Sequence, residues 1–190
     1  MSAGLLDLSP TRARLRLTVL VPRCGLSPDA EESTMTTSPD PARSRRDQMA
    51  LRRLVDDYAG YADRRQPARQ AALFTPDARL AVHDGDPSEN EPTQVLRGRE
   101  ELEVALGGLQ AYEHTTHFIG QSTLTVNGDG NGATGTTYCL AHHVWTEEGQ
   151  RMLLVMSIRY LDDFARHDDE WLISQRILVI DWLDRRPLTA

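Results

Sequence analysis

Histidine is the side chain best suited to proton transfer at neutral pH, because imidazole can act first as a base and then as an acid. His117 lies in one strand-like segment, and the adjacent His142 and His143 lie in the next. A carboxylate that accepts one ring N–H fixes the tautomer of such a base. Asp63 follows Ala59 by one helical turn and lies at the edge of an apolar helix face. These residues suggest acid–base chemistry, with a solvated helix end and an ordinary sheet histidine as the alternative.

Other chemistries find less support. His114 and His117, with His142 or His143, would supply three imidazoles for a zinc site. Positions i and i+3 of a strand face opposite ways, however, and His114 is predicted to lie in a loop. Cys139 lies in the middle of a strand without a nucleophile motif. All 21 basic residues are arginines, so Schiff-base and P-loop lysines are excluded. We predict no metal and no cofactor.

Composition limits the class of protein and its partners. A chain of 190 residues with 39% hydrophobic and 26% charged residues is typical of one soluble domain. It contains no apolar run near the ~20 residues that span a bilayer. A net charge of −7 argues against nucleic acid as a partner. Cys24 and Cys139 lie far apart in unlike segments, which fits a reducing cytoplasm.

The N-terminal part differs from the rest. Residues 1–45 are rich in Pro, Ser, Thr and Arg. A signal peptide needs an uninterrupted apolar core, but Arg14 and Arg16 interrupt the short apolar stretch here, so a signal peptide is not predicted. We predict a disordered extension. The alternative is a mis-annotated start, with translation beginning at Met35. The folded domain is predicted for residues 46–184.

The elements of that domain follow from periodicity. A first helix is predicted from Asp47, which can cap it, through an apolar stripe that ends near Ala62. The next elements are a helix at about Pro67 to Leu73, a strand at Ala78 to Asp84, a loop at Gly85 to Pro92, a helix at about Arg99 to Leu109, and four strands between Thr115 and Trp182. Turns rich in Gly, Asp and Asn separate the four strands. Helices gathered on one side of an antiparallel sheet predict an α+β domain.

This order resembles the SnoaL-like branch of the nuclear-transport-factor-2-like superfamily. The matching segments are YAGYAD (Tyr58 to Asp63), LFTPDA (Leu73 to Ala78), RGREEL (Arg97 to Leu102), THF and NGDG (Thr116 to Phe118, Asn127 to Gly130), TYCLAHH (Thr137 to His143), RYLDDFARHDDEW (Arg159 to Trp171), Arg176 and IDW (Ile180 to Trp182). The resemblance covers about residues 47 to 183. It implies a cone, in which a curved sheet wraps against the helices and leaves a pocket at its open end. That cone hosts dehydratases, dehydrochlorinases, isomerases, polyketide cyclases, dioxygenase small subunits and non-enzymatic proteins, so it does not name the reaction.

The resemblance also implies a catalytic pair. In members such as scytalone dehydratase, dehydrochlorinase and bile-acid dehydratase, an Asp at the end of the first helix orients a His on a sheet strand, which removes a proton from the substrate. Asp63 and His117 match these positions. A tyrosine occupies the position of Tyr58 in some family dehydratases, where it would donate a proton or polarise a carbonyl; a core tyrosine is the alternative.

Three further residues are predicted to bind substrate. Gln121 shares a strand face with His117 by parity. His142 is favoured over His143 as the pocket residue, although both faces of that strand are apolar. Arg176 would neutralise an anionic group or a developing enolate, with a salt bridge to a neighbouring acid as the alternative.

Together these features predict a cofactor-free lyase or isomerase, of the dehydratase or cyclase type, that acts on a small and mostly apolar molecule. The alternatives are a ligand-binding or assembly module without chemistry, and the small subunit of a ring-hydroxylating dioxygenase. A homodimer or homotrimer is expected, because both faces of the segment Met152 to Tyr160 are apolar.

Overall fold

The computed structural model describes residues 41–189, and the predictions for residues 1–40 lie outside them. The elements are α1 (Pro41–Asp63), α2 (Pro67–Ala72), β1 (Phe74–Asp84), β2 (Gln94–Arg97), α3 (Gly98–Leu106), a 3-10 turn (Gly107–Ala111), β3 (His114–Val126), β4 (Gly132–Glu147), β5 (Gln150–His167) and β6 (Glu170–Pro187). No helix within this range combines the length and the apolarity needed to cross a bilayer.

The strands form one curved sheet in the order β2-β1-β6-β5-β4-β3. β1 runs parallel to β6, and all other neighbours are antiparallel, as expected where short hairpin turns join β3 through β6. α1 packs mainly against β3, and α3 packs against β1 and α2. The predicted α+β architecture is confirmed.

The core lies between the helices and the inner face of the sheet. Period-2 alternation on β4 buries Cys139, Ala141 and His143 and exposes Tyr138 and Leu140 on the outer face. The apolar stripe of α1 is buried as its helical spacing predicted, through Leu51, Leu54, Val55, Tyr58, Ala59 and Ala62.

The start of α1 corrects the sequence prediction. The helix begins at Pro41, so residues 41–45 are not part of an extension, and Asp47 does not cap a helix. The buried Asp47 carboxylate instead accepts hydrogen bonds from Arg166 and from Trp171 Nε1. Burial acts to raise the pKa of Asp47, but these two hydrogen bonds outweigh it and lower the pKa. Asp47 therefore joins the early turns of α1 to the β5–β6 hairpin.

Three boundaries also differ from prediction. The four-residue strand β2 was not predicted, because its pairing with β1 is a tertiary contact that a short polar segment does not reveal. α3 ends at Leu106 and continues as a 3-10 turn, because the Gly107–Gly108 pair weakens the α-helix. His114 is the first residue of β3 and not part of a loop.

A buried ion pair occupies the centre of the inner face. Arg176 is fully buried, and its Nε and Nη2 donate to the two carboxylate oxygens of Asp162 at 2.7 Å each. Its guanidinium carbon lies 4.1 Å from the ring centroids of both Tyr58 and Tyr160. The charge is thus neutralised by Asp162 and lies against two aromatic rings.

Removing Asp162 should therefore leave a buried, unpaired guanidinium. We expect Asp162→Ala to lower the free energy of unfolding by about 3–5 kcal/mol in urea titrations. The matched control is Asp181→Ala, which breaks the partly exposed Arg159–Asp181 pair and should cost no more than about 1 kcal/mol. Equal losses in the two variants would contradict this account of the core.

Candidate acid–base site

Asp63 is placed by the way α1 ends. The backbone N–H of Gln66 donates to the carbonyl oxygen of Tyr61 at 2.9 Å, and the backbone N–H of Arg65 donates to the carbonyl oxygen of Ala62 at 3.0 Å. With Arg65 at φ 55°, this is a Schellman-type termination. Asp63 is consequently the last residue of the helix, where a carboxylate is disfavoured by the helix dipole. Its contacts with the sheet must offset that cost.

Those contacts are made with His117 on β3. Asp63 Oδ1 lies 2.7 Å from His117 Nδ1, and Oδ2 accepts the backbone N–H of the same residue at 3.0 Å. The His117 side chain is 7% exposed and that of Asp63 is 29% exposed. Because an ionised carboxylate only accepts, Nδ1 carries a proton, and in the neutral ring Nε2 then holds the lone pair. No described residue forms a hydrogen bond with that Nε2.

Electrostatics keep this carboxylate ionised. Partial burial acts to raise the pKa of Asp63, but the hydrogen bonds from the His117 ring and backbone outweigh it and lower the pKa. A fixed negative charge beside the ring is what would stabilise an imidazolium during proton transfer. When the ring is neutral, the arrangement can therefore act as a general base.

Two arginines fix β3 on either side of His117. Arg65, just beyond α1, donates from Nη2 to the carbonyl of Glu113 at 2.5 Å. Arg52, within α1, donates from Nη1 to the carbonyl of Gly120 at 3.2 Å. The helix end and the strand are thus tied together before and after the histidine, which limits how far Asp63 and His117 can separate.

The second histidine of the site is His143, and the prediction of His142 was wrong. His143 is buried with its ring 5.5 Å from that of His117, whereas His142 is on the opposite, outer face of β4. The helices cover the face that carries Cys139, Ala141 and His143. This tertiary packing determines which of the two histidines faces the interior, which the apolar alternation of β4 could not do.

The environment of His143 keeps its ring neutral. Burial, and then the proximity of His117, lower its pKa to about 4. Neither ring nitrogen has a hydrogen-bond partner among the described residues. Leaving such groups unpaired costs free energy, so this is the point of the site where a ligand's polar atom would be most stabilising.

Gln121 does not share the face of His117. The register of β3 against β4 shifts between Ile119 and Ser122, so Gly120 and Gln121 form a bulge opposite Tyr138. The bulge reverses the strand parity, and Gln121 is exposed. A simple alternation rule cannot anticipate this reversal.

Tyr58 and Arg176 lie in the core and do not reach the Asp63–His117 pair through any described hydrogen bond. The ring of Tyr58 packs edge-on against Phe74 and Tyr160. Burial raises its pKa, so it would stay protonated at neutral pH. For Arg176, the alternative of a salt bridge to a neighbouring acid is the one observed.

Two aromatic residues at the site were missed from the sequence. The Tyr112 ring lies 4.5 Å from that of His143, and Trp145 packs edge-on against Tyr112 at 6.0 Å. Trp145 shares the strand face of His143 and could have been found by parity. Tyr112 precedes β3 and carried no such signal. They give the site an aromatic wall.

A concave surface lies away from the Asp63–His117 pair. An open groove of about 1090 Å³ runs between α1, α2 and the β5–β6 hairpin, and neither Asp63 nor His117 lines it. Five arginines line it, together with Asp47, Asp57, Asp169 and Glu170. Within residues 41–189, no group of three or more His, Cys, Asp or Glu side chains is arranged to hold a metal ion.

The tautomer of His117 can be measured directly. Imidazole ¹⁵N shifts recorded at about pH 8.5, above the usual imidazole range, should show a protonated Nδ1 and an unprotonated Nε2. Asp63→Asn should weaken this preference and shift the Nδ1 proton upfield, whereas Asp57→Asn, on the same helix, should leave both unchanged. A protonated Nε2 in the unmodified chain would contradict the geometry.

His143 should make stability depend on pH. Its folded-state pKa lies below the unfolded value of about 6.5, so the unfolded chain binds the proton first as pH falls. The contribution of the neutral His143 ring to the free energy of unfolding is therefore complete above about pH 6.5. It is lost progressively towards pH 4, and the loss is at most about 3 kcal/mol. His143→Asn should flatten that part of the stability profile, and His142→Asn should not. Identical profiles for all three proteins would refute the assignment.

Comparisons with known proteins agree with this architecture. The chain matches the SnoaL-like domain family over residues 43–177. The uncharacterized protein Rv2910c of Mycobacterium tuberculosis (strain ATCC 25618 / H37Rv) is 26% identical over 131 residues, which is 69% of this chain and 83% of that protein.

Solved structures share the fold. A Novosphingobium aromaticivorans protein assigned as a scytalone dehydratase has a TM-score of 0.65 and 21% identity, over 78% of this chain and 93% of that one. The LinA-type3 hexachlorocyclohexane dehydrochlorinase of Novosphingobium barchaimii has a TM-score of 0.63 and 19% identity, over 80% of this chain and 96% of that one. The resemblance to the SnoaL-like family drawn from the sequence is confirmed: the chain belongs to that family.

Proposed function

We propose that this protein is a cofactor-free lyase or isomerase that abstracts a proton from carbon with His117. The observation that carries the proposal is the Asp63 carboxylate, which binds both the ring and the backbone of His117 and leaves Nε2 without a partner. Here one nitrogen is held and the other is left for a ligand.

In this reaction, Nε2 takes a proton from a carbon beside a carbonyl or an unsaturated ring. Asp63 stabilises the imidazolium that forms. In an elimination, the released C–H electron pair becomes the new double bond, and the leaving group departs with its own bonding pair as halide, or as water after it receives a proton. In an isomerisation, the imidazolium returns the proton to a different carbon.

His143 supports the proposal as a neutral hydrogen-bond donor. Its lowered pKa keeps the ring uncharged, and its ring nitrogens have no partner within the described chain. A substrate carbonyl oxygen would satisfy one of these nitrogens as negative charge develops on that oxygen. The nearby rings of Tyr112 and Trp145 favour a small and mostly apolar ligand.

The related folds support the same reaction class. The two solved structures bear the names of a dehydratase and a dehydrochlorinase, and both names denote eliminations. At about one fifth identity, these names are a reason to test eliminations first.

A ligand-binding module without chemistry is the second candidate. One observation favours it: Tyr58, Tyr160 and Arg176 are buried against one another and fill part of the space beneath the sheet. Such a protein would bind its ligand without removing a proton.

Proton abstraction can be tested before the natural substrate is known. Cyclic ketones and β-hydroxy or β-halo carbonyl compounds would be incubated with the protein in D₂O, and exchange at the acidic carbon would be followed by ¹H NMR. We expect accelerated exchange for at least one compound, with a 10²- to 10⁴-fold loss in His117→Ala, the range typical of a general base.

His142→Ala is the matched control, since this neighbouring histidine faces outward and should leave the exchange rate unchanged. Asp63→Asn should slow exchange while retaining binding. Binding of a panel compound without any exchange, in the unmodified chain, would favour the ligand-binding alternative. Equal exchange rates in the unmodified chain and in His117→Ala would exclude His117 as the base.

A further inference from the structure

Tyr112 carries a hydroxyl group that has no hydrogen-bond partner among residues 41–189. The Tyr112 ring lies 4.5 Å from that of His143 and packs edge-on against Trp145 at 6.0 Å. The side chain is partly exposed, and its oxygen is not sealed in the interior. His143 in turn lies beside His117, with their rings 5.5 Å apart. Tyr112 therefore presents a free O–H next to the two histidine rings of the site.

Contacts of the neighbouring residue hold Tyr112 in this position. The backbone N–H of Glu113 donates to the carbonyl oxygen of Val144 at 2.7 Å. The Glu113 carboxylate accepts hydrogen bonds from the Thr146 hydroxyl and from Arg151 Nε. These bonds attach the segment before β3 to β4 and β5. The Tyr112 ring is thus fixed relative to the site, as a group that transfers a proton to a substrate must be.

The acidity of Tyr112 suits a proton donor at neutral pH. Burial raises the pKa of its phenol, and the charge of Arg185 acts in the opposite direction without cancelling this effect. The phenol therefore stays protonated near pH 7. A phenol is nevertheless a much stronger acid than water, whose pKa is about 15.7. A hydroxyl group that departs with its bonding electrons would therefore take the phenol proton readily.

Other groups at the site are weaker proton donors. Burial and the proximity of His117 lower the pKa of His143 to about 4, so its ring is neutral near pH 7 and its remaining N–H is a very weak acid. Thr115 lies directly opposite His143 across the β3–β4 ladder, but an aliphatic hydroxyl is also a very weak acid. The competitor of Tyr112 is the His117 imidazolium, which forms during the reaction.

The spacing of Tyr112 and His143 fits a β-hydroxy carbonyl compound. The two oxygens of such a compound are attached to the first and third carbons of one short chain and lie about 3–5 Å apart. The two ring centroids are 4.5 Å apart. The carbonyl oxygen can therefore accept from His143 while the hydroxyl accepts from Tyr112. A halide needs no proton to leave, so a second donor contributes less to the elimination of a β-halo compound.

We propose that Tyr112 is a further catalytic residue that protonates a departing hydroxyl group, and that the substrate is a β-hydroxy carbonyl compound. This inference rests on the proposed function. His117 Nε2 takes the proton from the carbon beside the carbonyl, and the C–H electron pair becomes the new double bond. The C–O bond at the β-carbon breaks with its electron pair on oxygen, and this oxygen takes the Tyr112 proton and leaves as water. The phenolate then regains a proton from solvent, and the imidazolium releases one to solvent.

The test compares two leaving groups on one carbon skeleton. Formation of the unsaturated ketone would be followed by ultraviolet absorbance for β-hydroxy ketones and their β-chloro counterparts, after subtraction of the rates without protein. Tyr112→Phe removes the hydroxyl and keeps the ring. We expect it to lower the ratio of the dehydration rate to the chloride-elimination rate by about 10²-fold, at the lower end of the range for a general acid. Tyr138→Phe is the matched control, since Tyr138 lies on the outer face of the sheet and should leave the ratio unchanged.

Deuterium exchange at the acidic carbon separates this inference from the proposed function. If exchange depends on His117 and Tyr112→Phe leaves the ratio unchanged, the role of Tyr112 is overturned and the base is retained. Exchange without dehydration of any β-hydroxy ketone in the unmodified chain overturns the inference as well. Equal exchange in the unmodified chain and in His117→Ala contradicts the proposed function, and this inference with it.

Discussion

The contact between the Asp63 carboxylate and His117 is the constraint on which the site depends. It joins the last residue of α1 to the edge strand of the sheet, using both carboxylate oxygens. β3 has a strand neighbour on one side only, so its position relative to the helices rests on contacts such as this one and on those of Arg52 and Arg65. A carboxylate at the C-terminal end of a helix opposes the helix dipole. The two hydrogen bonds that it accepts from His117 must therefore offset this cost.

The interior of the domain divides into two polar clusters with different character. Towards the centre, Arg176 has its charge matched by Asp162 and lies against aromatic rings, while its Nη1 has no hydrogen-bond partner among the described residues. Towards the end of α1, His117 and His143 keep ring nitrogens without partners in the described chain. A folded domain satisfies nearly all its buried polar groups. Buried polar atoms without a partner also occur at Arg176 and Thr75, so the ionised carboxylate that holds His117 is what distinguishes this cluster from the supporting core.

The elements that depend on local sequence patterns were predicted from the sequence. The apolar stripe of α1 and the turns between β3 and β6 are set by helical spacing and by turn chemistry, and both were predicted. The Asp63–His117 pair was found because its two positions match a known family, since no spacing rule links residues so far apart in the chain.

The remaining features depend on contacts between distant elements. Gln121 was placed wrongly because the bulge at Gly120 reverses strand parity, and His142 was chosen because both faces of β4 are apolar. Asp47 has the sequence signature of a cap, yet its partners Arg166 and Trp171 come from the other end of the chain. In each case the sequence allowed two positions for the side chain, and packing between distant elements determined which one the residue adopts.

The central claim is that Asp63 and His117 act as one unit in proton abstraction. A double-mutant cycle on the rate of carbon–deuterium exchange tests it most directly, using Asp63→Asn, His117→Gln and the combination of both. If the carboxylate works only through the imidazole, the double variant should be no slower than His117→Gln alone. If the two losses multiply, the residues act independently, and the account given for this site is contradicted.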